Sequence, residues 1–220
     1  KEKKFPDFIR LISYILISFL YFVNTYDAGM SFSIDYRIIA GLSLALLLPV
    51  ILYHDEKVYN VRDAFYLLGG VFFLGFVMSL FYMYRTHSLS LVIFLFLITM
   101  ITDSYAYFGG RLIGKTKLIP SISPNKTWEG TIGGSLVGTF VCTVYYLTVI
   151  DSNASVFVIA GIVLLLSIVG QLGDLFFSAI KRRFRVKDFS NLMPGHGGVL
   201  DRLDSIIFVM LTFTFFLNIL

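Results

Sequence analysis

The sequence predicts an all-α integral membrane protein, a polytopic bundle of about seven transmembrane helices. Three observations carry that expectation. Of 220 residues, 57% are hydrophobic and 15% charged, whereas a soluble domain of this size carries about 25% charge. The 23 Phe residues fall mostly inside long apolar stretches. Lys and Arg instead gather between those stretches, where positive charge sets membrane orientation and meets anionic headgroups. The net charge of +4 is therefore no sign of nucleic-acid binding, and none is expected.

A spanning helix needs about 20 mainly apolar residues, and candidates occur at roughly 8–23, 38–53, 64–84, 88–108, 131–150, 155–180 and 203–220. The first follows a basic start, Lys1-Glu2-Lys3-Lys4, as a signal peptide would. No small-residue cleavage site follows Val23, so a short retained helix is expected. Without an initiator Met, the numbering is expected to begin inside a longer gene product. Pro49, Gly69, Gly70 and Gly75 lie within runs, which membrane helices tolerate. Gly130, Gly134 and Gly138 recur every four residues, a spacing that lets a neighbouring helix pack closely. Trp128 reads as an interfacial anchor and Cys142 as a small buried hydrophobe. With no repeat or linker, the chain is expected to form one continuous bundle.

Alternating the connections places Lys1, Lys3, Lys4, Arg10, Lys57, Arg62, Arg111, Lys115, Lys117, Lys126, Lys181, Arg182, Arg183, Arg185, Lys187 and Arg202 on one side. Only Arg37 and Arg85 remain for the other. Positive connections stay cytosolic, so the N-terminus, 54–63, 109–130 and 181–202 are expected to face the cytosol. Two of these, Gly109–Gly130 and Lys181–Arg202, are long and rich in Gly, Pro and charge. Irregular backbone near a bilayer lines a cavity rather than lipid, so function is sought there, at the cytosolic side.

Asp103 and Asp174 are the carboxylates inside the apolar runs, and an acid in a membrane helix is a functional hypothesis by default. A helix-to-helix polar clasp is the structural alternative. Asp174, Ser178 and Lys181/Arg182 share one helix face. Asp201 and Asp204 share a face at the start of the last helix. Asp174, Asp201 and Asp204 together suit a hard, oxygen-seeking cation such as Mg²⁺. Taken alone, Asp201 and Asp204 read equally as helix-start acids. Pro194-Gly195-His196-Gly197-Gly198 precedes them, a loop whose amides can approach a phosphate before a helix N-terminus. In the other loop, Ser121-Ile-Ser123-Pro-Asn-Lys126-Thr127-Trp-Glu129-Gly130, Lys126 can hold a phosphate and Ser123 or Thr127 can bond one.

The stretch Ser178-Ala-Ile-Lys181-Arg182, then Lys187-Asp188, then Pro194-Gly-His196-Gly197-Gly198-Val-Leu-Asp201-Arg202-Leu-Asp204 resembles the signature of the phosphatidate cytidylyltransferase family. Asp103-Ser-Tyr-Ala-Tyr107-Phe-Gly109, Ser123-Pro-Asn-Lys126-Thr127-Trp-Glu129-Gly130 and Gly170-Gln-Leu-Gly-Asp174-Leu are similar to the family as well. The resemblance covers the C-terminal half, so residues 109–220 are expected to be the catalytic region and 1–108 the N-terminal transmembrane helices. Met193 departs from the family's usual Leu, Ile or Phe, and the family commonly has further spanning helices ahead of this region.

What the resemblance implies is attack of the phosphate of phosphatidic acid on the α-phosphorus of CTP, giving CDP-diacylglycerol and pyrophosphate. It implies Mg²⁺, with a monovalent cation such as K⁺ nearby, on Asp174 and Asp201 with Asp204 close. Lys181, Arg182, Lys187 and Arg202 would neutralise the phosphates. Asp174, Lys181, His196, Asp201 and Asp204 are the expected catalytic set. Asp103, Ser123, Lys126, Thr127, Glu129, Ser178, Arg182, Lys187, Asp188, Gly197, Gly198 and Arg202 are the expected substrate contacts. Membrane lipids and a second copy of the chain, as a homodimer, are the expected partners, in a bacterial inner membrane. Two rivals remain: a CTP-dependent polyprenol or dolichol kinase, which transfers the γ-phosphoryl group, and an ion-coupled transporter using Asp103 and Asp174 as a path. A transporter would show pseudo-symmetric halves, whereas these polar residues crowd one face and one half. A CDP-alcohol phosphotransferase is disfavoured because its Asp-Gly-x-x-Ala-Arg pattern is missing.

Overall fold

The computed structural model describes residues 5–23, 36–53, 58–151, 153–190 and 197–217. The chain divides into two compact units, Lys1–His87 and Ser88–Leu220. Residues 108 and 109, where the sequence suggested a division, both lie inside one long helix of the second unit.

The first unit holds α1 (Asp7–Val23), α2 (Tyr36–Leu47), α3 (Pro49–Leu52) and α4 (Val61–His87). The span expected at 38–53 is broken in two. Proline supplies no backbone N–H, so the helix is interrupted and restarts with Pro49 in its first turn. Leu20, Leu42, Leu46 and Val71 form one buried cluster, with Ile12, Leu16 and Leu67 against it. Asn60 and Asp63 close the start of α4 reciprocally: the Asp63 amide donates to Asn60 Oδ1 at 3.0 Å and the Asn60 amide to Asp63 Oδ2 at 3.1 Å. Tyr59, wholly buried beside them, donates to the Leu46 carbonyl at 2.8 Å. Burial, aided by the Asp63 charge, pushes its phenol up to about 12, so it stays a donor at any working pH.

The second unit holds α5 (Leu89–Leu112), β1 (Lys117–Ile119), β2 (Ser123–Thr127), α6 (Trp128–Tyr145), α7 (Val156–Arg183) and α8 (Leu200–Phe213). A π-helical turn, Tyr146–Ile150, extends α6, and a 3₁₀ turn, Thr214–Phe216, extends α8. Counting α2 and α3 as one interrupted rod, the described residues form seven helices. Four segments are long and apolar enough to cross a bilayer: Val61–His87, Leu89–Leu112, Trp128–Ile150 and Val156–Arg183. This is an integral membrane protein with an all-α framework.

Two departures from the sequence expectation matter for function. The Gly109–Gly130 stretch is not an irregular loop throughout. Helix α5 continues to Leu112, and β1 and β2 then pair antiparallel, Lys117 opposite Thr127 and Ile119 opposite Ser123. Pro120 and Pro124 bar a helix here, and the hairpin satisfies backbone groups that would otherwise need water. The last helix begins at Leu200 rather than 203, which puts Asp201 in its first turn.

Close backbone approach holds α5 to α6. A Cβ at Gly130 would land on the Ala106 carbonyl and the Gly110 backbone, and at Gly134 on the Thr102 carbonyl and Ala106. Gly138 faces the Thr102 side chain. Between α7 and α8, Gly170 meets the Val209 side chain, and Gly173 meets the Phe208 side chain and the Asp204 carbonyl. The glycine spacing in α6 is therefore a packing device, as expected.

Candidate active site

Five elements of the second unit, α5, β2, α6, α7 and α8, converge on one cavity of about 550 Å³. Its floor is polar, with Asp103 from α5, Asp174 from α7, and Asp201, Arg202, Asp204 and Ser205 from α8. Lys126 enters from β2, flanked by Asn125 and Thr127, while Phe96, Met100 and Tyr107 of α5 line the apolar side.

The hairpin sets the position of Lys126. Thr127, buried and one residue on, caps α6 by accepting the Gly130 amide at 3.2 Å. Glu129 accepts the Thr116 amide at 3.1 Å and the Thr116 hydroxyl at 2.6 Å, clamping the hairpin base from the first turn of α6. Held this way, Lys126 Nζ lies 2.6 Å from Asp174 Oδ2 and donates to the Gln171 carbonyl at 3.5 Å. Ser178, one turn beyond Asp174, donates to its Oδ1 at 3.5 Å.

Lys181 is the second cation, buried and two turns beyond Asp174. Its Nζ donates to Asp201 Oδ1 at 2.9 Å and sits 3.9 Å from Asp204 Oδ2. The ring of Phe189 lies 5.4 Å away. Burying an ammonium requires partners at this range. Asp174 and Asp204 line the same cavity, close enough for each charge to act on the other. Asp103 is tied down separately, accepting from Ser205 Oγ at 3.2 Å.

Asp201 occupies a different position from its neighbours. Its Oδ1 takes Lys181, and its Oδ2 accepts the amides of Phe189 and Gly198, each at 2.9 Å. Both oxygens are engaged, Oδ1 with Lys181 of α7 and Oδ2 with the backbone at Phe189 and Gly198. Gly197 permits this approach with φ +77, and a Cβ there would sit 3.1 Å from Asp201 Oδ2 and 3.2 Å from Asp188 Oδ1. The Gly198 amide thus points at a carboxylate.

Asp103, Lys126, Thr127, Asp174, Asp201, Arg202 and Asp204 are brought to one cavity, with Ser178 and Lys181 bonded to its acids. Ser123 opens β2 opposite Ile119, Arg182 Nε donates to the Ile122 carbonyl at 3.4 Å, and Lys187 is exposed to solvent. His196 lies outside the described residues. Sequence reasoning passed over Ser205 and Gln171. Gln171 Nε2 donates to the Thr131 carbonyl at 3.2 Å and to Ser135 Oγ at 2.8 Å. Ser135 continues through Ser167 to Thr102, so one buried chain of polar groups joins α5, α6 and α7. A search for uncharged polar residues inside the apolar runs, beside the carboxylates, would have found it.

Among the described residues, no three His, Cys, Asp or Glu side chains form a closed metal cage. An open pair of carboxylates suits Mg²⁺ better in any case, since that ion takes one or two carboxylates and fills its octahedron with water and phosphate. Asp174 and Asp204 meet that description. Asp201 holds Lys181 and two amides, and Asp174 is likewise engaged at both oxygens, by Lys126 and Ser178, so a cation at either acid would replace a present partner.

The whole chain, residues 1–220, matches the cytidylyltransferase family. It is 40% identical over 178 residues to a phosphatidate cytidylyltransferase of Staphylococcus haemolyticus, covering 81% of this chain and 67% of that one. A Staphylococcus aureus protein of the same name is 44% identical over 152 residues, 69% of this chain and 58% of its own. One from Staphylococcus saprophyticus is 38% identical over 184 residues, 84% of this chain and 70% of its own. The chain thus spans between 58% and 70% of the length of these curated relatives. Acids and lysines converging at one end of apolar helices, and a family match along the full length, lead to one conclusion: the chain belongs to the cytidylyltransferase family.

Proposed function

We propose that this cavity is the catalytic centre of a phosphatidate cytidylyltransferase, where a phosphatidic acid phosphate attacks the α-phosphorus of CTP and pyrophosphate leaves. The observation that carries the proposal is the Lys126–Asp174 pair at 2.6 Å, set beside Asp204 and Lys181 in one cavity with an apolar wall. A polar floor suits phosphates, and the apolar side suits a lipid.

Two phosphate esters repel, so the protein must neutralise and align them; a covalent nucleophile is not required. Lys126, Lys181 and Arg202 are the cations at the cavity. Lys126 exchanges its bond to Asp174 for a phosphate oxygen, and Asp174 and Asp204 are the residues that would hold Mg²⁺. When bound, that ion supplies charge neutralisation at the phosphoryl oxygens. Ser178 and Ser205 orient the acids. Asp201 ties the Phe189 and Gly198 backbone to the start of α8 and holds Lys181 in place. Seven crossing rods, with this end toward the cytosol of a bacterial plasma membrane, agree with 16 of 18 Lys and Arg falling on one side. CTP is then supplied from water, while the lipid arrives from the bilayer.

The test is detergent-solubilised activity with CTP, phosphatidic acid and Mg²⁺, following pyrophosphate and the lipid product together. CDP-lipid with pyrophosphate supports the proposal. Phospholipid with CDP would instead mark a γ-phosphoryl kinase.

A further inference from the structure

Seven residues close α7, Lys181-Arg182-Arg183-Phe184-Arg185-Val186-Lys187, and the structure sorts them into two groups. Lys181 is buried against Asp201 and Asp204, and Arg182 is engaged with the Ile122 and Val186 carbonyls. Arg183, Arg185 and Lys187 are exposed, and no described carboxylate lies within ion-pair reach of them. Phe184 stands among them 71% exposed.

The backbone at this point is unusual. The Val186 amide bonds the Lys181 carbonyl and the Arg185 amide the Arg182 carbonyl, each at 3.0 Å, which is a Schellman closure with Arg185 as the first residue past the cap. That residue is left-handed, φ 57, and it is the one described non-glycine residue with positive φ. Glycine is the residue this position favours, because any Cβ is strained there. The chain places an unpaired cation there instead. A cation at a helix C-terminus gains from the helix dipole, but Arg183 already supplies that within the last turn. The strain therefore calls for a further role.

Geometry suggests what that role is. Helix α7 has 28 residues, so it is about 42 Å long, against a hydrocarbon core of about 30 Å. Arg183 lies nine residues beyond Asp174, about 13 Å along the axis, and a rod about 12 Å longer than the hydrocarbon core carries its basic end into a headgroup layer. A ring of three unpaired cations around an exposed aromatic, on a rod leaving the bilayer, is complementary to an anionic headgroup layer. We infer that the α7 tip, Arg183, Phe184, Arg185 and Lys187, is a docking surface for anionic phospholipid headgroups that enriches anionic lipid beside the cavity. The inference rests on α7 being a membrane span and is independent of the reaction assigned to the cavity.

The experiment uses the reconstituted full chain carrying Trp128→Phe and Phe184→Trp, so that position 184 is the sole tryptophan, and reads lipid contact without reading catalysis. Bilayers of phosphatidylcholine contain a brominated quencher at equal mole fraction, either phosphatidylglycerol or phosphatidylcholine. Each basic side chain near an anionic surface is expected to favour it about fivefold, so the phosphatidylglycerol quencher should be several times the more effective. Adding Arg183→Gln and Arg185→Gln should bring the two quenchers to parity, as should high salt. Equal quenching in the starting protein, no quenching by either lipid, or a preference that survives both substitutions would overturn the inference. So would a double variant that keeps its lipid preference but loses affinity for CTP, which would assign the tip to the nucleotide. Arg185→Gly provides an independent check. It relieves the backbone strain and should raise the thermal midpoint by about 2–4 °C while weakening the phosphatidylglycerol preference. A lowered midpoint would make Arg185 a structural residue and defeat the inference.

Discussion

The two units of this chain are both apolar helical assemblies, yet they are put together differently. In the first, the close contact at a glycine is with a side chain: Gly75 lies under Leu20. In the second, Gly130 and Gly134 meet the backbone of α5 itself. Buried Ser13 of the first unit bonds its own helix, at the Ile9 carbonyl, whereas Thr102, Ser167, Ser135 and Gln171 of the second bond from helix to helix. The difference has a physical reason. Lipid tails are as apolar as leucine, so apolar side chains alone give helices in a bilayer little preference for one arrangement. Backbone contact at glycine and hydrogen bonds between helices are directional. The unit that must hold Lys126 against Asp174 uses both between its helices, while the first unit's described core is chiefly apolar, with Tyr59 bonded to the Leu46 carbonyl.

The largest expected effect sharpens that contrast at the cavity. Asp174→Asn and Asp204→Asn should each lower kcat by about 10²–10³, and the double variant should lose far less than the product of the two, as residues acting as one unit do. Rates over a Mg²⁺ titration at saturating CTP measure it. Independent, multiplicative losses would reduce the pair to separate interhelical clasps. An equivalent acid in the first unit provides the control: Asp7, paired with Arg10 on an exposed face of α1, should tolerate Asp7→Asn with kcat unchanged within about twofold.

A smaller effect is expected at Lys126. Lys126→Ala should lower kcat by about 100-fold, while the folded yield by size-exclusion chromatography stays unchanged. Lys126→Arg should recover little, because a planar guanidinium cannot replace a compact ammonium 2.6 Å from a carboxylate oxygen. Full activity in the Ala variant would reduce the hairpin to packing.

The smallest effects test the packing contrast directly. Gly134→Ala sets a methyl against backbone that cannot yield, and should cost about 1–3 kcal/mol together with activity. Gly75→Ala meets Leu20 Cδ1 and Cγ, which can rotate away, and Leu20 Cβ, which moves only with α1, and should cost less than Gly134→Ala with kcat retained. Gly133→Ala, with no atom within 4 Å of the added carbon, should stabilise by about 0.5–1 kcal/mol. Thermal unfolding of the three variants in one detergent ranks them. A Gly75 variant worse than the Gly134 variant would reverse the comparison.

Much of this was legible in the residues. Seven apolar runs became seven helical rods, because run length against bilayer thickness is a one-dimensional quantity that a chain carries in its own order. Asp103 and Asp174 stood out because a carboxylate in an apolar run has few reasons to exist. Gln171 and Ser205 did not, since an uncharged polar residue in a membrane helix is tolerated singly and reveals its part only beside a partner on another helix. The hairpin was missed because β1 and β2 together number eight residues, too few for an alternating pattern to emerge around two prolines.

Composition and order by themselves determined the membrane class, the glycine contact of α6 and the family signature. Each of these depends on which residue stands where along one chain. The tertiary structure alone decided which groups each acid meets. Asp201 and Asp204 are three residues apart on one helix and read alike, yet Asp201 has both oxygens engaged by Lys181 and two amides while Asp204 faces Asp174. It also decided that Lys126, 48 residues before Asp174 in the chain, would be its ion partner, and that Thr127 and Glu129 would build the hairpin and helix start that put it there. A carboxylate's role follows from what occupies its lone pairs, and those occupants come from distant segments brought together only when the helices pack.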